Sequence, residues 1–161
     1  MAVGDYERIE EERRAAYKRM MRAPWGSNEH TELTRQHDKL VERRAAYLRE
    51  LLAQLPFRWH IAHAYTARET ATYGGADHIV VDEPIRIGRL VRKPGDALSR
   101  PKQKFLALYA VEEDRLPTAR TDIKIAERIV ATSPAGARVK KPAKQLNREV
   151  AEVLQSRSAK E

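Results

Sequence analysis

The chain contains no cysteine, which removes disulfides, thiolate zinc sites and cysteine nucleophiles together. Aromatic residues are scarce, 6% of 161 residues, while 34% are charged. So little bulky apolar material predicts a modest core under a large surface, and hence an elongated molecule rather than a sphere. No window approaches the roughly 18 apolar residues of a membrane span. The opening stretch MAVGDYERIEEERR is too charged for a secretory signal. A soluble intracellular protein with no membrane contact is the expectation.

Catalytic motifs are missing as well. The glycine turns at Lys93-Pro94-Gly95-Asp96 and Tyr73-Gly74-Gly75-Ala76 lack the several glycines opening a helix that a phosphate-binding loop needs. No Gly-x-Ser-x-Gly, His-Glu-x-x-His or paired-carboxylate context occurs. Asp77, Asp82 and Glu83 read as turn residues. His60, His63 and His78 come nearest to a metal set, but on a strand His60 and His63 face opposite sides. Hydrogen-bonded histidines, with no metal and no cofactor, are therefore expected.

What the chain does have is positive charge, a formal +8 with a pI near 9.9, a balance that favours anionic partners such as nucleic acid. This charge is unevenly placed. Residues 1–55 carry eleven cations and ten acids, whereas residues 84–104 carry seven cations and one acid.

The near-neutral part reads as helical. Tyr6, Ile9, Ala16 and Met20 recur at three- and four-residue steps between Asp5 and Ala23, with Asp5 as the expected N-cap. Pro24-Trp25-Gly26 stops that helix. Ser27 or Asn28 caps a second one, whose stripe of Leu33, His37, Leu40, Arg44, Leu48, Leu51 and Leu55 runs to Pro56. The two helices share the string ERRAAY, at Glu12–Tyr17 and again at Glu42–Tyr47. A short turn between such stripes predicts an antiparallel hairpin. Coiled-coil pairing of this kind occurs within a chain or with a second copy. Ile9, Ala16, Met20, Leu40, Leu48 and Leu51 are its candidate interaction residues, for a homodimer or another protein partner.

After Pro56 the period changes to two. Phe57, Trp59, Ile61, His63 and Tyr65 alternate with Arg58, His60, Ala62 and Ala64, predicting a strand with the first set buried. His78–Val81 and Ile85–Val91 read as two more strands; Lys104–Val111 reads as a strand or a short helix, with Phe105, Tyr109, Val111 and the acidic turn after them favouring the strand. Thr118 or Thr121 caps a helix carrying Ile123, Ala126, Ile129 and Val130. Residues 135–144 form a basic linker, and Gln145–Gln155 a short last helix. The expected class is α+β: a helical hairpin over 1–55, a small antiparallel sheet with one packed helix over 56–132, and a basic linker, short helix and arm over 133–161.

The stretch Ile85–Phe105 threads Arg86, Arg89, Arg92, Lys93, Arg100, Lys102 and Lys104 between Ile85, Ile87, Leu90, Val91 and Leu98. A ribbon with an apolar backing and cations outside suits phosphate contacts. Lys140, Lys141 and Lys144 add a second basic segment. The alternative, a solvated face that keeps a sheet edge unpaired, would suit evenly spread charge better than segregated charge.

One resemblance covers residues 78–130. Gly88, Arg89, Leu90, Arg92, Gly95, Asp96, Ala97 and Leu98, and later Thr118, Ile125, Ala126, Glu127 and Arg128, resemble a pattern in small proteins of actinobacteria and their phages. Those proteins are taken to be zinc-ribbon-like. Ser99, Ala119 and Asp122 stand where their cysteines would. The resemblance implies a small β-rich module that has lost its metal and is held by packing alone, in a bacterial cytoplasm or a virion. The combined reading is a non-enzymatic nucleic-acid-binding accessory or regulatory protein; a protein-interaction or assembly component built on the hairpin is the alternative.

Overall fold

The structure, a computed structural model, describes residues 1–66, 75–100, 106–110 and 115–133, together with Glu152 and Gln155. The elements are α1 (Asp5–Arg22), α2 (Asn28–Ala53), β1 (Trp59–Thr66), β2 (Ala76–Val81), β3 (Ile85–Ile87), β4 (Leu90–Arg92), β5 (Leu106–Ala110) and α3 (Arg120–Thr132). The fold is α+β, as the change of period at Pro56 predicts. No helix of the described residues is long and apolar enough to cross a membrane.

The helical hairpin forms with α1 and α2 antiparallel. Glu12 of the first ERRAAY string meets Arg43 of the second at 3.2 Å. Ser27 caps α2 as expected, its hydroxyl accepting from the His30 N–H at 3.1 Å. At α1 the cap is Gly4, in a left-handed conformation, and Asp5 is the first helical residue. The Asp5 carboxylate accepts from the Ala2 N–H instead.

The core lies at the base of the hairpin. Tyr6 of α1 and Leu48, Leu51, Leu52 and Leu55 at the end of α2 join Phe57, Ile61, Ile79, Val81, Ile85, Leu98, Ile123, Ala126 and Ile129 in one buried cluster. That cluster runs straight across the expected boundary at residue 55. The other half of the hairpin contributes nothing to it: from Tyr17 to Ala46 no side chain is fully buried, and Tyr47 is the first residue of α2 to pack against the cluster.

The main sheet is antiparallel with order β2-β1-β5, and Ile61 pairs with Ile79 across its centre. Expected alternation along β1 is only partly realised. Ile61 is buried, but Ala62 and Ala64, expected outside, are buried too, while Trp59 and His63 are half-buried. Both faces of the strand are thus covered, which the small alanine side chains permit.

The single strand expected over Ile85–Val91 is a hairpin of two short strands. Gly88 adopts φ 59°, with Arg89 beside it at the turn. A glycine with positive φ at the first central position is what a two-residue hairpin loop of the type II′ class requires. Downstream, β5 falls inside the expected Lys104–Val111 run. Neither threonine caps α3: Ala119 holds the cap position without a side-chain bond, and the Thr118 hydroxyl accepts from the Asp77 N–H at 2.8 Å. The expected linker over 135–144 lies outside the described residues, as does the helix over 145–155 apart from Glu152 and Gln155.

Candidate functional site

The β3–β4 ribbon is held in place by chain on both sides of it. Residues 95–98 run antiparallel to β2, with Leu98 N–H donating to Ile79 O and Gly95 N–H donating to Val81 O, both at 2.9 Å, and Val81 N–H donating to Asp96 O at 3.0 Å. This return stretch covers the edge of β2 that β1 leaves open. The ribbon is the excursion between the two, and the face shared by Ile85, Ile87 and Leu90 packs against the core.

Two buried polar groups lock the return stretch. Arg92 is only 8% exposed, and its guanidinium donates to the carbonyls of Val91, Ala97 and Leu98 at 2.8–3.1 Å. Asp122, 0% exposed in the first turn of α3, accepts from Ile79 N–H at 2.8 Å, Ser99 N–H at 3.0 Å and the Ser99 hydroxyl. Its position at a helix N-terminus favours the negative charge. One carboxylate therefore ties α3, β2 and the residue after Leu98 together.

His78 Nδ1 lies 3.1 Å from Asp122 Oδ2 and 3.5 Å from Ser99 Oγ. A nucleophile relay needs the hydroxyl at the ring nitrogen remote from the acid. Here acid and hydroxyl share one nitrogen, and Ser99 donates directly to the carboxylate, so the cluster is a structural knot. Nor does it fit zinc, which takes four ligands, or three plus water. Ala119 offers no donor atom, and Asp122 is engaged by three protein donors. Among the described residues no group of three histidines or acids is arranged to hold a metal.

The other two histidines of the expected set pair with aspartates in the same way. His60 Nδ1 lies 2.5 Å from Asp82 Oδ1, and His63 Nδ1 lies 2.8 Å from Asp77 Oδ1. Asp77, expected in a turn, is a buried residue of β2.

Outside this locked base, Arg86, Arg89, Lys93 and Arg100 are exposed, and none forms an ion pair within the described residues. Asp96, the nearest acid in sequence to Lys93 and Arg100, uses its carboxylate to accept the Lys93 backbone N–H at 3.1 Å. Glu83 is occupied by Arg58, through the side chain at 3.4 Å and the backbone N–H at 3.1 Å. The result is a ribbon with one face on the core and with Arg86 and Arg89 in solvent, followed by exposed Lys93 and Arg100.

The placement corrects several expectations. Arg92 does not face outward with its neighbours, because three buried carbonyls need its donors. Ile9, Ala16, Leu48 and Leu51 are buried within this chain and present no surface to a partner; Met20 and Leu40 are only partly exposed. Lys102, Lys104, Lys140, Lys141 and Lys144 lie outside the described residues.

A further set of cations escapes a reading by averages. Between Glu12 and Glu29 the sequence has Arg13, Arg14, Lys18, Arg19 and Arg22 and no acid. The acids of residues 1–12 hide this run in the near-neutral total for the hairpin. A sliding charge count would have found it.

Residues 70–130 match the family described as a domain of unknown function (DUF8336). The matched stretch contains the ribbon, Arg92, Asp122 and most of α3, and leaves the helical hairpin outside it. Comparison with curated proteins and with solved structures gave no match.

Proposed function

We propose that this chain is a non-enzymatic nucleic-acid-binding accessory protein that grips the phosphate backbone with the β3–β4 ribbon. The observation that carries the reading is the set of exposed Arg86, Arg89, Lys93 and Arg100, which have no acidic partner among the described residues. Elsewhere the same side chain is often neutralised: Arg8, Arg13, Arg14, Arg35, Arg43, Arg44, Arg58, Arg115 and Arg120 each meet a carboxylate. Arg86 and Arg89 on the ribbon, Lys93 just after it and Arg100 beyond the return stretch are four unneutralised cations spread along the chain, which suits a run of phosphates better than one small anion. Such contacts position a protein on nucleic acid without reading its sequence. Fluorescence anisotropy of a labelled duplex or single strand is the test. Affinity that falls steeply as salt is raised is expected, and absent or salt-independent binding ends the reading.

A second reading, an assembly component that docks through the hairpin, is favoured by exposed Tyr17 and Met21 on the half that adds nothing to the core. Deleting residues 1–55 cannot separate the two, because Leu48, Leu51, Leu52 and Leu55 belong to the central cluster. Tyr17→Glu with Met21→Glu is the cleaner cut. Loss of self-association in light scattering, with nucleic-acid binding never seen, would favour assembly.

A further inference from the structure

The turn of the helical hairpin carries an indole almost wholly in solvent. Trp25 is 91% exposed, although a tryptophan ordinarily covers much of its large apolar area in a fold. Pro24 and Gly26, with φ 79°, hold the turn around it. Its aromatic contact is with His30, at a centroid distance of 4.9 Å and an angle of 52°, and the ring is otherwise open to solvent. Met21 and Tyr17, about one and two turns back, are also exposed.

Cations flank this apolar strip. Lys18, Arg19 and Arg22 are exposed and make no ion pair within the described residues. They differ from Arg13 and Arg14, which Glu10 holds one turn nearer the base. On α2, Glu32 is taken by Arg35 and Glu29 of the first turn is exposed, so Lys18, Arg19 and Arg22 stand against one unpaired carboxylate and the tip is net positive. An open aromatic face beside free cations is the combination that single-stranded nucleic acid uses: bases stack on the ring, and phosphates meet the cations. A duplex offers the phosphates but keeps its bases stacked on one another.

We propose that the hairpin tip is a second nucleic-acid contact, in which Trp25 stacks on an unpaired base and Lys18, Arg19 and Arg22 hold the flanking phosphates. It rests on the nucleic-acid reading above and narrows the ligand to single strands, or to duplex ends and junctions with an unpaired base. The ribbon supplies charge-based grip on either form; the tip supplies preference.

The test titrates the full-length protein, Trp25→Ala, and the Arg86→Ala/Arg89→Ala/Lys93→Ala/Arg100→Ala variant with a thymidine oligomer, a matched duplex, and phosphatidylglycerol vesicles. Tryptophan emission and fluorescence anisotropy are read in parallel. The inference expects the oligomer to quench emission in the parent and not in Trp25→Ala. It also expects that substitution to weaken oligomer binding by about 5- to 150-fold, the range for one stacked base, while duplex binding stays nearly level. Because Trp25 buries so little, Trp25→Ala should melt with the parent, and thermal unfolding checks this. Oligomer binding that weakens in the ribbon variant but neither quenches Trp25 nor depends on it overturns the tip while leaving the ribbon. Quenching by the oligomer with no loss in the ribbon variant keeps the tip and removes the ribbon. Quenching by vesicles alone, or self-association lost in Trp25→Ala without oligomer binding, overturns the inference in favour of a membrane surface or a second copy.

Discussion

At the base of the hairpin one carboxylate gathers three guanidinium groups, whereas on the ribbon the cations stand without an acid. Glu10, 3% exposed, accepts from Arg13 at 3.1 Å and Arg44 at 2.8 Å, with Arg14 at 3.7 Å. Burial alone would raise its carboxyl, but the hydrogen bonds and charges of Arg13 and Arg44 outweigh that and hold it below the ordinary carboxylate range. Close by, Arg120 of α3 meets Glu7 of α1 at 2.5 Å. Buried Glu127 accepts from Gly4 N–H at 2.9 Å and the Tyr47 hydroxyl at 3.1 Å. Burial and the charge of Glu127 push that hydroxyl well above its usual value. The basic surplus of the chain is therefore a poor guide to where it binds; what matters is which cations the fold has already neutralised.

Arg92 sits in the ribbon sequence but is buried and engaged by backbone carbonyls, as the cations of the base are engaged by carboxylates. Arg92→Ala removes the donor from three buried carbonyls and should destabilise the protein by about 2–4 kcal/mol in urea unfolding. Arg92→Lys should recover little, because an ammonium cannot reproduce the planar fork. If Arg92→Ala unfolds with the parent and instead loses nucleic-acid affinity, the division between structural and free cations is wrong.

Glu10→Gln is the next step down. It removes the charge shared by Arg13 and Arg44 while keeping the shape, at an expected cost of about 1–2 kcal/mol. The pH dependence has a definite sign. Because the folded-state pKa of Glu10 is depressed, its contribution is complete above the unfolded carboxyl value and fades as pH falls through the folded one. The parent should lose stability below about pH 4 more steeply than Glu10→Gln. Parallel acid-unfolding curves would remove Glu10 as the organising charge.

The smallest stability effect belongs to the ribbon surface. Replacing Arg86, Arg89, Lys93 and Arg100 by alanine should leave unfolding within about 0.5 kcal/mol of the parent, as exposed and unpaired side chains allow. A larger loss would mean that these cations also serve the fold.

How much of this was legible follows from the range of the interactions. The helices were, because the three- and four-residue stripe and the Ser27 cap are local. So was the switch to strands after Pro56. Gly88 inside an apolar run was a visible warning of a turn, but the run Ile85–Val91 taken alone reads equally well as one strand. Burial of Arg92 was not readable: its acceptors include Ala97 and Leu98, which reach it only because the chain folds back along β2. Ser99 and Asp122, far apart in sequence, were singled out together by the resemblance; that they hydrogen-bond as a knot with His78 required the fold. The exposed set Arg86, Arg89, Lys93 and Arg100 was found by charge counting, which could not tell those four from Arg92.

The most direct measurement is the salt dependence of nucleic-acid affinity for the parent and the four-alanine ribbon variant, compared in one buffer series. If the ribbon neutralises four phosphates, the slope of log affinity against log salt should be shallower in the variant by about 3 to 4 on a duplex, with both proteins equally stable. Identical slopes would contradict the account, since the free cations of the ribbon would then hold no phosphate.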